Sequence, residues 1–244
     1  MYIALLNIVG TINNSMVSRF MPVLDYIQKK NRVRGLLLVV NSGGGDANAT
    51  EILYNKLFQI AREKPVYTSI LGVGASGAYW LSCASEKIFA METSIIGSIG
   101  VISISLDISE LLENIGIKTR INKIGKYKDI NSPFRKMTDE ENSIYNNLMN
   151  DIFLKFRGEV QKRRKLTNEE IEDIATGLLF SPLSGKQKKL IDEIGDTDNA
   201  LDDMKRTHNL NMNVKNLTPK KGFVSRFVGI STESFMDILE KYWN

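Results

Sequence analysis

Over its first 110 residues the sequence switches repeatedly between strand-like and helix-like hydrophobic spacing, and no other feature restricts the fold as much. Tyr2–Val9 reads as a strand. Residues 15–30 set Val17, Phe20, Met21, Leu24 and Ile27 on one helical face. Residues 35–40 are apolar without a break, the pattern of a parallel strand buried on both faces. A helix over 47–63, a strand over 66–71, a short helix over 77–84 and a strand over 87–90 follow. A strand over 99–105 and a helix over 109–115 complete the series. Strands alternating with helices predict an α/β fold with a largely parallel sheet.

Past Lys118 the character changes. Residues 118–123 read as one more strand, and 125–137 as a polar loop containing Pro133. Thr138 then caps a long helix with an acidic first turn, running to about Lys165. Shorter helices are expected over 168–175, 184–189 and 199–208, a short strand over 212–216, and aromatic-bearing helices over 223–228 and 233–243. With no low-complexity linker or repeat, residues 1–244 read as one domain. Its parts are an α/β core (1–123), a loop and helices (124–210) and a helical extension (211–244).

Composition narrows the chemistry. The lone cysteine, Cys83, excludes an internal disulfide and sits in an apolar stretch, as a buried thiol does. The net charge is +4, but the basic residues are dispersed among acidic ones. The densest run, Lys162, Arg163, Arg164 and Lys165, ends a helical pattern, where cations suit the helix dipole and solvent. No aromatic residues interleave with it, so nucleic acid is not expected. No run approaches the roughly 18 apolar residues of a membrane span, and the N-terminus reads as a strand rather than a signal peptide.

Ser76 stands out at an expected strand-to-helix turn, in Gly72-Val73-Gly74-Ala75-Ser76-Gly77-Ala78. Small neighbours leave it accessible, and a helix N-terminus favours a developing negative charge. The single histidine, His208, lies in a polar segment, so another group must take the serine proton. Lys123, Lys126 and Lys128 in the polar loop are the candidates. A lysine with the usual pKa of about 10.4 acts as base only after a fall of roughly 2.5–3 units, about 4 kcal/mol. Asn41-Ser42-Gly43-Gly44-Gly45-Asp46 follows the apolar strand at 35–40, and reads equally as an anion cradle or a plain turn. Gly72, Gly74 and Gly77 also match G-x-G-x-x-G, with Glu92 20 residues beyond Gly72. The helix after it is short for a dinucleotide fold, and Ala78 breaks the G-x-S-x-G elbow.

Four motifs in order resemble the signal peptide peptidase A (SppA, protease IV) family over roughly residues 2–208. They are NSGGGDA at 41–47, GVGASGAYWLSCASEKIFA at 72–90, TSIIGSIGV at 93–101 and GKYKDINSPFRKMTDEE at 125–141. The resemblance implies a crotonase/Clp-protease-like spiral of βαβ units with a helical C-terminal part. It implies a serine endopeptidase with Ser76 as nucleophile and Lys128 as general base, 52 residues apart. Gly44 or Gly45, with Gly77, would supply the oxyanion hole, and Ser98 would orient the lysine. Substrates would be signal-peptide remnants and similar extended apolar peptides, with no cofactor or metal. A homo-oligomer is implied, with Ser76 and Lys128 meeting either within one subunit or across an interface, peripheral membrane contact left open, and the aromatic C-terminal residues packed internally, in that interface or on the membrane.

Two positions depart from the family pattern. Gly43 stands where proline is usual, which loosens the loop, and Ala78 where a second glycine is common. The N-terminal anchor usual in bacterial relatives is also missing from the sequence given, and its removal stays open. Three rivals remain: a stomatin-type membrane-protein-specific Ser–Lys protease, a crotonase-type acyl-CoA enzyme and a non-enzymatic scaffold.

Overall fold

The computed structural model describes residues 1–220. The strands are β1 (Tyr2–Val9), β2 (Val33–Ser42), β3 (Val66–Ala75), β4 (Lys87–Ala90), β5 (Ile95–Gly97), β6 (Leu179–Phe180), β7 (Glu193–Ile194) and β8 (Val214–Asn216). The helices are α1 (Asn14–Lys29), α2 (Ala47–Ala61), α3 (Gly77–Ser82), α4 (Ser109–Asn114), α5 (Asp139–Arg164), α6 (Asn168–Ile174), α7 (Pro182–Gln187) and α8 (Thr197–His208). All eight strands join one sheet, ordered β6-β5-β3-β2-β1-β8, with β4 beside β3 and β7 beside β4. Every pairing is parallel except β5 with β6. The architecture is mixed α/β around a central sheet.

The unbroken apolar run of β2 has the expected cause. Leu36, Leu38 and Val40 face one buried cluster with Phe20, Leu24 and Leu53 from α1 and α2. Leu37 and Val39 face a second cluster with Tyr67, Phe89 and the α8 residues Ala200 and Met204. Residues at i and i+2 share a face, so both sets must be apolar once helices cover both sides.

Strand β3 divides the sheet and creates the site. Its first half, Tyr67 to Ile70, pairs with β4, and its last residues, Val73 to Ala75, pair with β5. It runs four residues past the expected end, directly into the turn at Ser76. Gly72 and Gly74 therefore lie inside a strand, and α3 is a six-residue buried helix. The dinucleotide reading fails here, because its phosphate loop would have to occupy a paired strand.

Two expected strands are absent. Residues 99–105 and 118–123 form no ladder, and the strand lies earlier, at β5. A strand needs an edge, and the edge beyond β5 is taken by β6. The Ser98 N–H donates to the Leu178 carbonyl and the Gly177 N–H to the Ile99 carbonyl, after which the chain departs. Ile102, Ile104 and Ile124 are then 83%, 85% and 99% exposed, and no residue of α4 is buried. The very short β6 and β7 carry too few residues for any periodic signal.

Capping is as the sequence implies. Thr138 and Glu141 form a capping box at the start of α5. The basic end of α5 differs from expectation, because it is only partly solvated. Arg163 donates to the Cys83 carbonyl, and Arg164 pairs with Asp192. The first contact fastens α5 to the end of α3, and the second to the segment before β7. Cys83 is buried, and burial pushes its thiol up to about 12. Among the described residues no helix is long and apolar enough to cross a membrane. The expected helices at 223–228 and 233–243 lie outside the described residues.

Candidate active site

Ser76 occupies the single residue between β3 and α3, with φ 52° and ψ −127°. That region is populated almost only by glycine, so a serine there stores strain of about 1–3 kcal/mol. Two hydrogen bonds impose it: the Ser76 N–H donates to the Gly97 carbonyl at 2.8 Å, and the Trp80 N–H donates to the Ser76 carbonyl at 3.0 Å. The residue is half-buried and lines an open groove of about 1270 Å³.

The glycine loop packs on this turn. A Cβ on Gly44 would lie 2.6 Å from the Gly77 nitrogen and 2.9 Å from the Ser76 Cβ. A Cβ on Gly77 would lie 2.5 Å from the Thr50 Oγ1. Both positions need glycine for close approach, and the glycine loop therefore packs directly against the Ser76 turn. The loop's own fixings were not legible as such. Ser42 Oγ donates to the Gly10 carbonyl at 2.7 Å and accepts the Gly44 N–H at 3.1 Å. Asn41 Oδ1 accepts the Val73 N–H at 3.0 Å. Short polar side chains ending a strand were the available signal.

Among the described residues, the backbone donors left for a ligand include the N–H groups of Gly77 and Gly45. Gly77 opens α3, where the first N–H groups lack helical acceptors. Gly45 bridges Ile12 through its neighbours, since Ile12 N–H donates to Gly44 and Asp46 N–H to Ile12. The N–H of Gly45 itself therefore points away from Ile12. The Gly44 N–H is already engaged by Ser42.

Ser98 lines the same groove, half-buried, also at positive φ (50°). The far wall comes from α5, through Tyr145, Met149, Phe153 and Phe156. Phe156 stacks on Trp80, with centroids 5.0 Å apart. The groove is thus walled by α5, which also contributes Asn146 and Asn150, on one side and by the glycine loop and the Ser76 turn on the other.

Ser76, Gly44, Gly45, Gly77 and Ser98 are thus brought together, and Lys128 is not. Lys128 is exposed, in the turn closed by its N–H donating to the Gly125 carbonyl at 3.2 Å. The three loop lysines nevertheless differ. Lys123 pairs with Asp129, and Lys126 pairs with Glu140 at 2.7 Å. The Glu140 partner holds the Lys126 ammonium well above the ordinary lysine range. Lys128 has no acidic partner within ion-pair distance among the described residues. A paired lysine is a poor base, and none of the three lines the groove.

Comparison with known proteins shows the family. Residues 59–211 match the model of peptidase family S49. A protein of Methanocaldococcus jannaschii assigned as a protease is 38% identical over 191 residues, 78% of this chain and 61% of the relative. A protein of Enterococcus faecium assigned as signal peptide peptidase SppA is 34% identical over 215 residues, 86% of this chain and 62% of the relative. Protease 4 of Salmonella typhi is 31% identical over 171 residues, 70% of this chain and 28% of the relative. The chain therefore spans about three fifths of the length of the first two relatives. With well over half of its residues matched, the chain belongs to peptidase family S49.

Proposed function

We propose that this chain is a serine endopeptidase acting through a Ser76–Lys128 dyad on extended apolar peptides, signal-peptide remnants among them. The observation that carries the proposal is Ser76 itself, strained at a strand-to-helix turn beside donor N–H groups and a groove large enough for a peptide. Neutral Lys128 takes the Ser76 Oγ proton, and Oγ attacks the peptide carbonyl. The N–H groups of Gly77 and Gly45 hold the oxyanion, Gly45 being preferred over Gly44 because its donor is not engaged. The Lys128 ammonium protonates the leaving amine. Water then cleaves the acyl-enzyme with the same lysine as base, and Ser98 orients the amine by accepting a hydrogen bond from its N–H.

In this reading Lys128 reaches the groove of a neighbouring copy in a homo-oligomer. Its exposure outside its own groove supports that arrangement. So does the run of exposed apolar residues at Ile102, Ile104, Leu106, Ile115 and Ile124, which a second copy would cover. The parallel sheet with helical crossovers fits a crotonase/Clp-like spiral over a single domain. The groove and the apolar arm are also compatible with peripheral contact at a membrane surface.

The test is cleavage of a quenched fluorogenic peptide carrying a signal-peptide core, from pH 6 to 10. Wild type is expected to cleave along a single basic limb, and Ser76→Ala and Lys128→Ala to be inactive alone. Mixing the two inactive variants is expected to restore activity, since some sites then combine intact Ser76 with intact Lys128. Activity surviving in Ser76→Ala sinks the proposal, and acyl-CoA binding would then favour the crotonase-type rival. Silence in the mixture places both residues in one subunit. Preference for stomatin-type membrane proteins over signal peptides would reassign the substrate.

A further inference from the structure

The residue after Lys128 is an aspartate, and a carboxylate left free there would be an anion next to the lysine in sequence. In the structure that carboxylate is occupied. Arg135 Nε donates to Asp129 Oδ2 at 2.7 Å and Arg135 Nη2 to Oδ1 at 2.8 Å, and Lys123 also pairs with Oδ1. The same guanidinium donates to Glu141, from Nη2 to Oε1 at 2.6 Å and from Nη1 to Oε2 at 2.8 Å. It further reaches the backbone carbonyls of Lys136 at 3.0 Å and Asp129 at 3.3 Å. Glu141 is buried in the first turn of α5 and closes the capping box with Thr138. The other charged groups of this cluster are also committed, Lys126 to Glu140 and Lys136 to Glu110. Asp139, also in the first turn of α5, is exposed.

Resting on the reading of Lys128 as base, we propose that Arg135 is a positioning residue for the dyad. It sequesters the Asp129 carboxylate and pins the turn carrying Lys128 to the N-terminus of α5, so that the amine stays unpaired. A planar fork is suited to this task, because it can grip two carboxylates at once where a lysine grips one point. The Arg135 and Lys123 partners hold the Asp129 carboxyl well below the usual range, so it stays ionised throughout the working pH. Without Arg135 it keeps only Lys123, and an under-neutralised carboxylate next to Lys128 in sequence would favour the ammonium form of that amine.

The experiment measures kcat and KM of the full chain on the fluorogenic peptide from pH 6 to 10. Arg135→Gln is expected to move the basic limb of kcat alkaline by at least about one unit, a loss of about tenfold at pH 8, with KM changed much less. Arg135→Lys, which keeps a cation but loses the fork, is expected to shift it less. Adding Asp129→Asn to Arg135→Gln is expected to return the limb toward its wild-type position, because the captured charge is gone. A loss of activity in Arg135→Gln with the limb unmoved overturns the proposal and leaves Arg135 a structural residue. So does failure of Asp129→Asn to restore the limb. Full activity in Lys128→Ala is a different result, since it removes the base reading on which the proposal stands.

Discussion

Replacing Ser76 by glycine should make the protein more stable while abolishing its activity. The serine is held at φ 52°, ψ −127°, where a Cβ is costly, and relief is worth about 2 kcal/mol. Glycine also loses more backbone freedom on folding, which costs about 0.5–1 kcal/mol. The net gain is about 1 kcal/mol, or a rise in Tm of about 2–4 °C for a chain of this length. Ser76→Ala is the right reference, because it removes the hydroxyl and keeps the Cβ. Ser76 Oγ has no hydrogen-bond partner among the described residues, so removing it alone should change Tm little. Differential scanning calorimetry of the three proteins at neutral pH decides the matter. A Tm for Ser76→Gly equal to or below that of Ser76→Ala would refute the strain argument, and with it the view that the turn holds its serine against a local cost.

The same packing makes three further predictions. Gly44→Ala puts a methyl 2.6 Å from the Gly77 nitrogen at a backbone φ of +98°, and should cost about 3 kcal/mol together with most activity, read by calorimetry and peptide cleavage. Gly43→Pro should do the opposite: Gly43 lies outside the positive-φ set and a Cβ there meets nothing within 4 Å. A gain of about 0.4–1 kcal/mol and an undiminished kcat are expected, and a fall in Tm would show that the loop needs its freedom. The turn at 125–137 should loosen in acid. Arg135, followed by the Thr138 N–H, holds the Glu141 carboxyl down to about 2, below its usual 4.5. A depressed carboxyl stabilises the fold above its unfolded value and loses that effect as pH falls through its folded value. Hydrogen exchange, corrected for intrinsic rates, should therefore show this segment losing protection between pH 5 and 2.5. Unchanged protection would rule out the ion network as its anchor.

The parts of the fold legible in the sequence are those where local pattern and tertiary burial agree. β2 was readable because both faces are covered, by α1 and α2 on one side and α8 on the other. The start of α5 was readable because Thr138 and Glu141 satisfy its first amides locally. Ser76 was conspicuous because small residues surround it, although its backbone strain, which depends on Gly97 across the sheet, carries no sequence signal. Motif resemblance supplied Ser98 and Lys128, which spacing alone left among ordinary turn serines and surface lysines.

Two expected strands between residues 99 and 123 are absent, and for the first the cause is visible in the sheet. Residues 99–105 alternate in a strand-like way, yet the only neighbouring sheet edge is consumed by Leu179 and Phe180. An apolar pattern states that a residue wants burial without stating what buries it. Ile102, Ile104, Leu106 and Ile124 carry that demand unmet within the described residues, and the turn bearing Lys128 begins next to Ile124. If a second copy covers this arm, the surface that drives association also delivers the base to the neighbouring groove. Assembly and catalysis would then be one equilibrium. Specific activity should rise with protein concentration and saturate as the oligomer forms, with both transitions sharing a midpoint by sedimentation velocity and peptide cleavage. Activity proportional to protein at every concentration, alongside a visible monomer–oligomer transition, would separate the two and return Lys128 to its own subunit.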